Sequence, residues 1–306
     1  MGPLLLIITT FIWGTAFLAQ KLGADYLGPL AMTTFRNLLG GLFLVLCIFL
    51  RRNSQFENSI IRKFSILSGL ASGVPLFLAM LTQQIGIEKT TPGISAFLTT
   101  NYVIFVPLIY AIGHTLNRSF GHSVNRLIFL YALMALLGTY LICLSAFDSQ
   151  FVIRKFENSI IDSGESWTIL CALLFSVQMI VVDRLAPRCD VLVMSASQLL
   201  TCFVIGLPLT ICSSEWSAVQ SFPFTWGAIW PVLYCGVLSS GVAYTLQNFG
   251  QARTSAPVAA VLLSLESVFG ALSGFIVLGD TMTLTQFCGC GIIFLAALLA
   301  SIRSKG

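Results

Sequence analysis

SAPVAAVLLSLESVFGALSGFIVLGD, Ser255 to Asp280, is the stretch on which the reading of this chain turns. A proline stands near its start, and about twenty apolar or small residues follow, the length a helix needs to cross a bilayer. One carboxylate, Glu266, sits near the middle. At 1.5 Å per residue it lies about 13 Å beyond Pro257, close to the midplane of a span. A charge there costs about 3 kcal/mol on insertion scales unless it is protonated, paired or wetted, and such groups are kept where a pathway or cavity needs them. An earlier stretch has the same plan. TPGISAFLTTNYVIFVPLIYAIGHT, Thr91 to Thr115, also opens on a proline, and Asn101 follows Pro92 at the distance at which Glu266 follows Pro257. This correspondence predicts two related halves.

The composition argues for the membrane throughout. Of 306 residues, 57% are hydrophobic and 9% charged, against roughly 25% charged in soluble domains. A net charge of +4 gives no reason to expect nucleic acid as a partner. Most of the nine cysteines lie in apolar runs and read as packing thiols. Cys288 and Cys290 have no His or Asp beside them, and His114 and His122 share a loop without a third ligand. No metal or other cofactor is expected. The first apolar run, Pro3 to Gln20, lacks a basic leader and a cleavage site, so it reads as a retained span.

Ten apolar segments can be drawn, near 3–20, 30–50, 64–86, 92–112, 127–147, 167–183, 191–212, 226–247, 257–278 and 285–302. The polar stretch Asp148 to Ser166 divides them into a first five-helix repeat, 1–147, and a second, 167–306. With a cytoplasmic N-terminus, the inner segments hold Arg51, Arg52, Arg62, Lys63, Arg118, Arg126, Arg184, Arg188, Arg253, Arg303 and Lys305. The outer segments hold only Lys21, Lys89, Arg154 and Lys155. The bias predicts that both termini are cytoplasmic. On this topology Trp167, Trp216, Trp226 and Trp230 fall near the outer interface, where tryptophan anchors helices.

The halves share an order of features. A Gly- and Ser-bearing span (Gly69, Ser72, Gly73) ends in Gln83 and Gln84 before Pro92; another (Gly236, Ser239, Gly241) ends in Gln247 and Asn248 before Pro257. Five spans per repeat force the second copy to be inverted, a pattern common in secondary transporters with a site near the midplane. The hexapeptide FENSII occurs at 56–61 and again at 156–161, in loops of opposite side, and the inverted repeat does not account for it.

Several segments together resemble a known family. They are IWGTAFLAQK (Ile12 to Lys21), TPGISAFLTTNYVIFVPL (Thr91 to Leu108), SWTILCALLFSVQMIVVDRLAPRCD (Ser166 to Asp190) and SLESVFGALSGFIVLGD (Ser264 to Asp280). In this order, across nearly the whole chain, they resemble the EamA-type branch of the drug/metabolite transporter superfamily. The resemblance implies an all-α fold, with ten transmembrane helices in two inverted five-helix repeats around a central cavity. It also implies movement of small organic solutes across the bacterial inner membrane. Members often follow the ninth-span glutamate with proline; here Ser267 follows Glu266.

The candidate substrate-binding or coupling residues are Glu266, Asn101, Trp13, Arg36, Gln84, Tyr102, Tyr244 and Asn248. Glu266 is either a coupling carboxylate or a structural one bonded to a neighbouring helix. Arg36, inside the second span, cannot be neutralised; it pairs with Glu266, reaches water or snorkels to the interface. Asn101 is the symmetry mate of Glu266. Trp13 stacks a flat solute or packs in the core. The neutral polar groups line a cavity or bond across helices. Gly69-x-x-x-Gly73 and Gly270-x-x-x-Gly274 predict close helix contacts within the bundle.

The function expected is secondary transport of a small-molecule solute, with export of amino acids, related metabolites or drugs by alternating access and protons as the candidate coupling ion. An intramembrane enzyme is the alternative, and the chain offers little for it. Asp280 follows Gly279, but Val277 stands where an intramembrane aspartyl protease has glycine; GALSG (Gly270 to Gly274) misplaces the glycine of a rhomboid-type serine motif; and H-E-x-x-H is absent. A channel would need charge rings or a filter loop, and a primary pump a nucleotide-binding P-loop.

Overall fold

The computed structural model describes residues 1–51, 59–90, 92–116, 125–144, 164–273, 275–276 and 282–303. Residues 56–58 of the first FENSII copy, all of the second, most of the connecting stretch 148–166, His122, Gly274 and Asp280 lie outside these. So do Arg52, Arg118, Arg154, Lys155 and Lys305 of the charge pattern.

Every regular element among the described residues is helical. The first half holds α1 (Gly2–Ala24), α2 (Pro29–Leu50), α3 (Ser59–Lys89), α4 (Pro92–Thr99), α5 (Tyr102–Leu116) and α6 (Arg126–Cys143). The second holds α7 (Gly164–Leu185), α8 (Val191–Ile211), the short α9 (Trp216–Gln220), α10 (Trp226–Leu233) and a π-helical segment, Tyr234–Ala243. It continues with α11 (Tyr244–Gln251), α12 (Ala256–Leu263), α13 (Leu265–Ser273) and α14 (Leu284–Arg303). These form ten helical stretches long and apolar enough to cross a membrane, because α4 and α5, α10 to α11, and α12 and α13 each read as one span. Large side chains such as Phe11, Phe49, Leu116, Phe294 and Trp226 are more than half exposed. Apolar surface on this scale suits lipid and would be a liability in water.

Two spans are interrupted at matching places. The fourth breaks between Thr99 and Tyr102, and the ninth at Ser264. No proline is needed at the second break, despite the departure at Ser267. Small hydroxyl and amide side chains bond the carbonyls that the breaks release. Ser264 Oγ donates to Val261 O at 2.7 Å and Thr100 Oγ1 to Ala96 O at 2.8 Å. Asn101 Nδ2 donates to Leu98 O at 2.8 Å. The Thr100 and Ser267 hydroxyls also meet across the bundle at 3.2 Å.

The sequence halves do not pack as separate bodies. The helix α3 lies along α7 and α8, α2 along α8, α6 along α14, and α1 along α13, each contact joining one half to the other. Two main cores result. One draws on α5, α6, α12, α13 and α14, with Val106, Tyr110, Ala135, Val261, Leu262 and Ile293 fully buried. The other draws on α2, α3, α7, α8 and α11, around Leu76, Phe77, Met80, Leu199 and Tyr244. Trp13 of α1 packs against both. Gly69 and Gly73 of α3 sit against the α8 backbone, where a methyl group on Gly69 would lie 2.5 Å from Met194 O.

Candidate functional site

Between the two cores lies a cavity of about 450 Å³, counted out to its open mouth. Its position follows from close helix contacts that only glycine permits. A methyl group on Gly14 would lie 2.7 Å from the backbone oxygen of Glu266, so α1 sits directly on α13 and brings Trp13 beside Glu266. One on Gly40 would lie 2.7 Å from Gly236 O, so α2 sits on the π-helical segment. That contact carries Arg36, one turn earlier in α2, to the serines of the same segment. Single π turns inside α-helices recur at functional sites.

Arg36 is 3% exposed and lines the cavity. Its Nε donates to Ser240 Oγ at 3.0 Å, Nη1 to Gln20 Oε1 at 3.0 Å and Nη2 to Ser239 Oγ at 2.8 Å. It therefore neither snorkels to an interface nor pairs with Glu266; three neutral oxygens hold it in place. Gln84 stands one layer behind: its Nε2 donates to Gln20 O at 3.3 Å.

Glu266 is 4% exposed and lies in the first turn of α13, just past the break at Ser264. A helix start suits a carboxylate, because the first N–H groups point toward it unsatisfied. Tyr102 of α5 donates its hydroxyl to Glu266 Oε1 at 3.0 Å, and both side chains line the cavity. Aromatic rings complete the wall. Trp13 and Tyr244 lie 4.8 Å apart with a 57° tilt, and Phe175 stacks on Tyr244 at 6.4 Å. The Trp13 indole N–H donates to Ser239 O at 3.2 Å, joining the aromatic wall to the arginine seat.

Of the eight residues expected from the sequence, Trp13, Arg36, Tyr102, Tyr244 and Glu266 meet in this cavity, and Gln84, Asn101 and Asn248 do not line it. Asn101 turns its amide onto the carbonyls of its own helix break. Asn248 donates to Ser195 Oγ at 2.9 Å and Gln198 Oε1 at 2.8 Å within the α8–α11 contact. The cavity also takes in Phe17, Gln20, Gln83, Thr99, Phe175, Met179, Ser239 and Gln247. Gln20 and Ser239 were within reach of the sequence, since a buried arginine must find acceptors and neighbouring spans carry few.

Toward the end of the bundle where α1 begins, beside Gly250 and Thr254, the cavity gives way to a bonded floor. Asp183 of α7 accepts from Tyr110 of α5 at 2.5 Å and from the backbone N–H of Ala256, the first residue of α12, at 2.9 Å. Gln251 Nε2 donates to Met179 O at 3.1 Å, and Gln247 Nε2 to Gln178 Oε1 at 3.3 Å. Sequence reading passed over Asp183, which stands at the end of an apolar run and looks solvated.

Comparison with known proteins agrees with this architecture. The model of the EamA-like transporter family matches residues 1–144 and 162–302. A protein of Archaeoglobus fulgidus named an uncharacterized transporter is 24% identical over 298 residues, covering 97% of this chain and 85% of that protein. The uncharacterized transporter YoaV of Bacillus subtilis is 25% identical, with 94% of each chain covered. A chloroplastic WAT1-related protein of Arabidopsis thaliana is 22% identical over 97% of this chain and 68% of its own length. A crystal structure superposes with a TM-score of 0.75 over 99% of this chain and 97% of the other at 18% identity, a likeness of fold. A ten-span all-α bundle with a charged, aromatic-walled cavity, matched by the family model over most of its length, is a membrane transporter, and the chain belongs to the EamA-like transporter family.

Proposed function

We propose that this protein is a secondary active transporter that moves small organic metabolites by alternating access, exporting amino acids, related metabolites or drugs across the cell's inner membrane. One observation carries the reading. A cavity holding one buried arginine, one buried carboxylate and an aromatic wall lies between two apolar cores, beside paired helix breaks. Discontinuous spans around a midplane site are a recurrent device of secondary transporters. The relatives named as transporters support the same reading.

In this mechanism the moving bodies are the two packed cores. Rocking one sequence half against the other would shear the α3–α7, α3–α8, α2–α8 and α6–α14 contacts, which are the most extensive in the bundle. Rocking core on core opens the seam where Tyr110, Asp183 and the start of α12 meet. With both termini cytoplasmic, as the charge bias predicts, that seam is the inner gate. Glu266 is the coupling group. Its carboxyl takes a proton in one part of the cycle and gives it up when substrate occupies the cavity, so the proton and the solute move in opposite directions.

The test is counterflow in proteoliposomes with labelled amino acids, nucleosides and amphipathic cations, run on wild type and Glu266→Gln side by side. Exchange of one class by the wild type is the expected result. Absence of exchange for every compound, with folding and insertion verified, overturns the transporter reading.

A further inference from the structure

We propose that Arg36 is a carboxylate subsite, so that the cargo is a small monoanionic or zwitterionic acid whose flat or apolar body lies against Trp13 and Tyr244. The inference rests on the transporter reading and adds to it the chemical group that the site selects.

The charge at Arg36 is the starting point. A guanidinium stays charged at any accessible pH. Buried charges are ordinarily paired. Here all three bonding partners, Ser240, Gln20 and Ser239, are neutral. They occupy three of the five N–H donors and leave one on each terminal nitrogen. Glu266, the one carboxylate among the cavity-lining residues, is bonded to Tyr102 instead. The structure thus holds a fixed, buried cation facing a cavity, with its orientation set and, among the described residues, no carboxylate bonded to it.

The kind of anion follows from geometry and count. Planar forked donors match a carboxylate. A doubly charged phosphate is ordinarily met by several cations, and among the cavity-lining residues Arg36 is the one cation. The aromatic wall is tied to the same seat, because the Trp13 indole bonds the carbonyl of Ser239 whose hydroxyl holds the guanidinium. A carboxylate on Arg36 therefore places the rest of a small molecule along Trp13 and Tyr244. Glu266 then faces the far end of the ligand, where an ammonium group is tolerated or favoured.

The experiment uses purified full-length protein in nanodiscs and measures binding by calorimetry and thermal stabilisation. Its probes are matched acid and amide pairs: benzoate and benzamide, phenylacetate and phenylacetamide, phenylalanine and phenylalaninamide. Sodium chloride and phenyl phosphate serve as controls. In wild type at least one acid binds about tenfold or more tighter than its amide, as a charge-assisted forked contact allows. In Arg36→Gln that ratio falls to near one. Because Arg36→Gln removes a buried group that braces three elements, Ser239→Ala is the second variant. It keeps the charge, loosens its seat and lowers the ratio several-fold while the protein stays folded. The proposal is overturned if no acid is preferred over its amide in wild type, if the preference survives in folded Arg36→Gln, or if chloride or phenyl phosphate competes as well as the acids. Acid preference without counterflow would sink the transporter reading alone; counterflow without acid preference would sink only the carboxylate subsite.

Discussion

Arg36 and Glu266 are both buried in the middle of spans and face one cavity, yet they are held in opposite ways. Arg36 donates three directed bonds to two other helices and has a charge that cannot change. Glu266 has one bond, from Tyr102, and a charge that can. A group tied from several sides and permanently ionised suits recognition, because it presents the same face to every ligand. A group tied once and able to exchange a proton suits coupling, because its state can follow the cycle. The contrast assigns binding to one side of the cavity and switching to the other.

Five substitutions test that division, in falling order of effect. Arg36→Leu should reduce counterflow about a hundredfold or more, because it removes the charge and leaves three buried oxygens without their donor. Arg36→Lys should recover only a small part, since an ammonium lacks the fork. Full activity in the lysine variant would show that charge alone matters there. Glu266→Gln should leave exchange within about tenfold of wild type while flattening its dependence on pH, since the amide carries no exchangeable charge. An unchanged pH profile would remove Glu266 from coupling. Tyr102→Phe deletes the one bond to Glu266, worth about 1 kcal/mol, and should shift the pH profile of transport while changing its rate about fivefold. Asn101→Ala, at the position matching Glu266, should change exchange less than about twofold, because its amide serves its own helix break. A large loss there would bring Asn101 back into the transport path.

Packing offers a separate prediction. Gly14→Ala places a methyl group against the backbone of α13, which cannot move aside as a side chain tip can. Overpacking of this kind costs about 1–3 kcal/mol, so thermal denaturation in detergent should begin several degrees lower than in wild type.

The parts of the site that were legible in the sequence share one property: each is costly in lipid. Glu266 and Arg36 stand out in apolar runs whatever surrounds them. Tyr244 and Trp13 are polar-tipped aromatics deep in spans, and they also meet at the cavity. Asn101, Gln84 and Asn248 carried the same signal and went elsewhere. A neutral amide in a membrane helix has several ways to be satisfied, and its own backbone, a neighbour's carbonyl or another amide all suffice. Asp183 was missed for the opposite reason. At the end of a span a carboxylate is cheap, and nothing local reveals that its partners are a tyrosine from α5 and the first N–H of α12.

Ten spans, the all-α class, the two halves as a pattern and the two mid-span charges all follow from residue chemistry along the chain, because lipid penalises each polar departure where it occurs. Which charge meets which partner does not follow. Arg36 finds Gln20 of α1 and the serines of the π-helical segment, far apart in sequence, only because Gly40 lets α2 close on that segment. The pairing of cores across the halves has the same origin. Helix contacts in lipid are chosen by small residues and surface fit rather than by hydrophobicity, which every span shares.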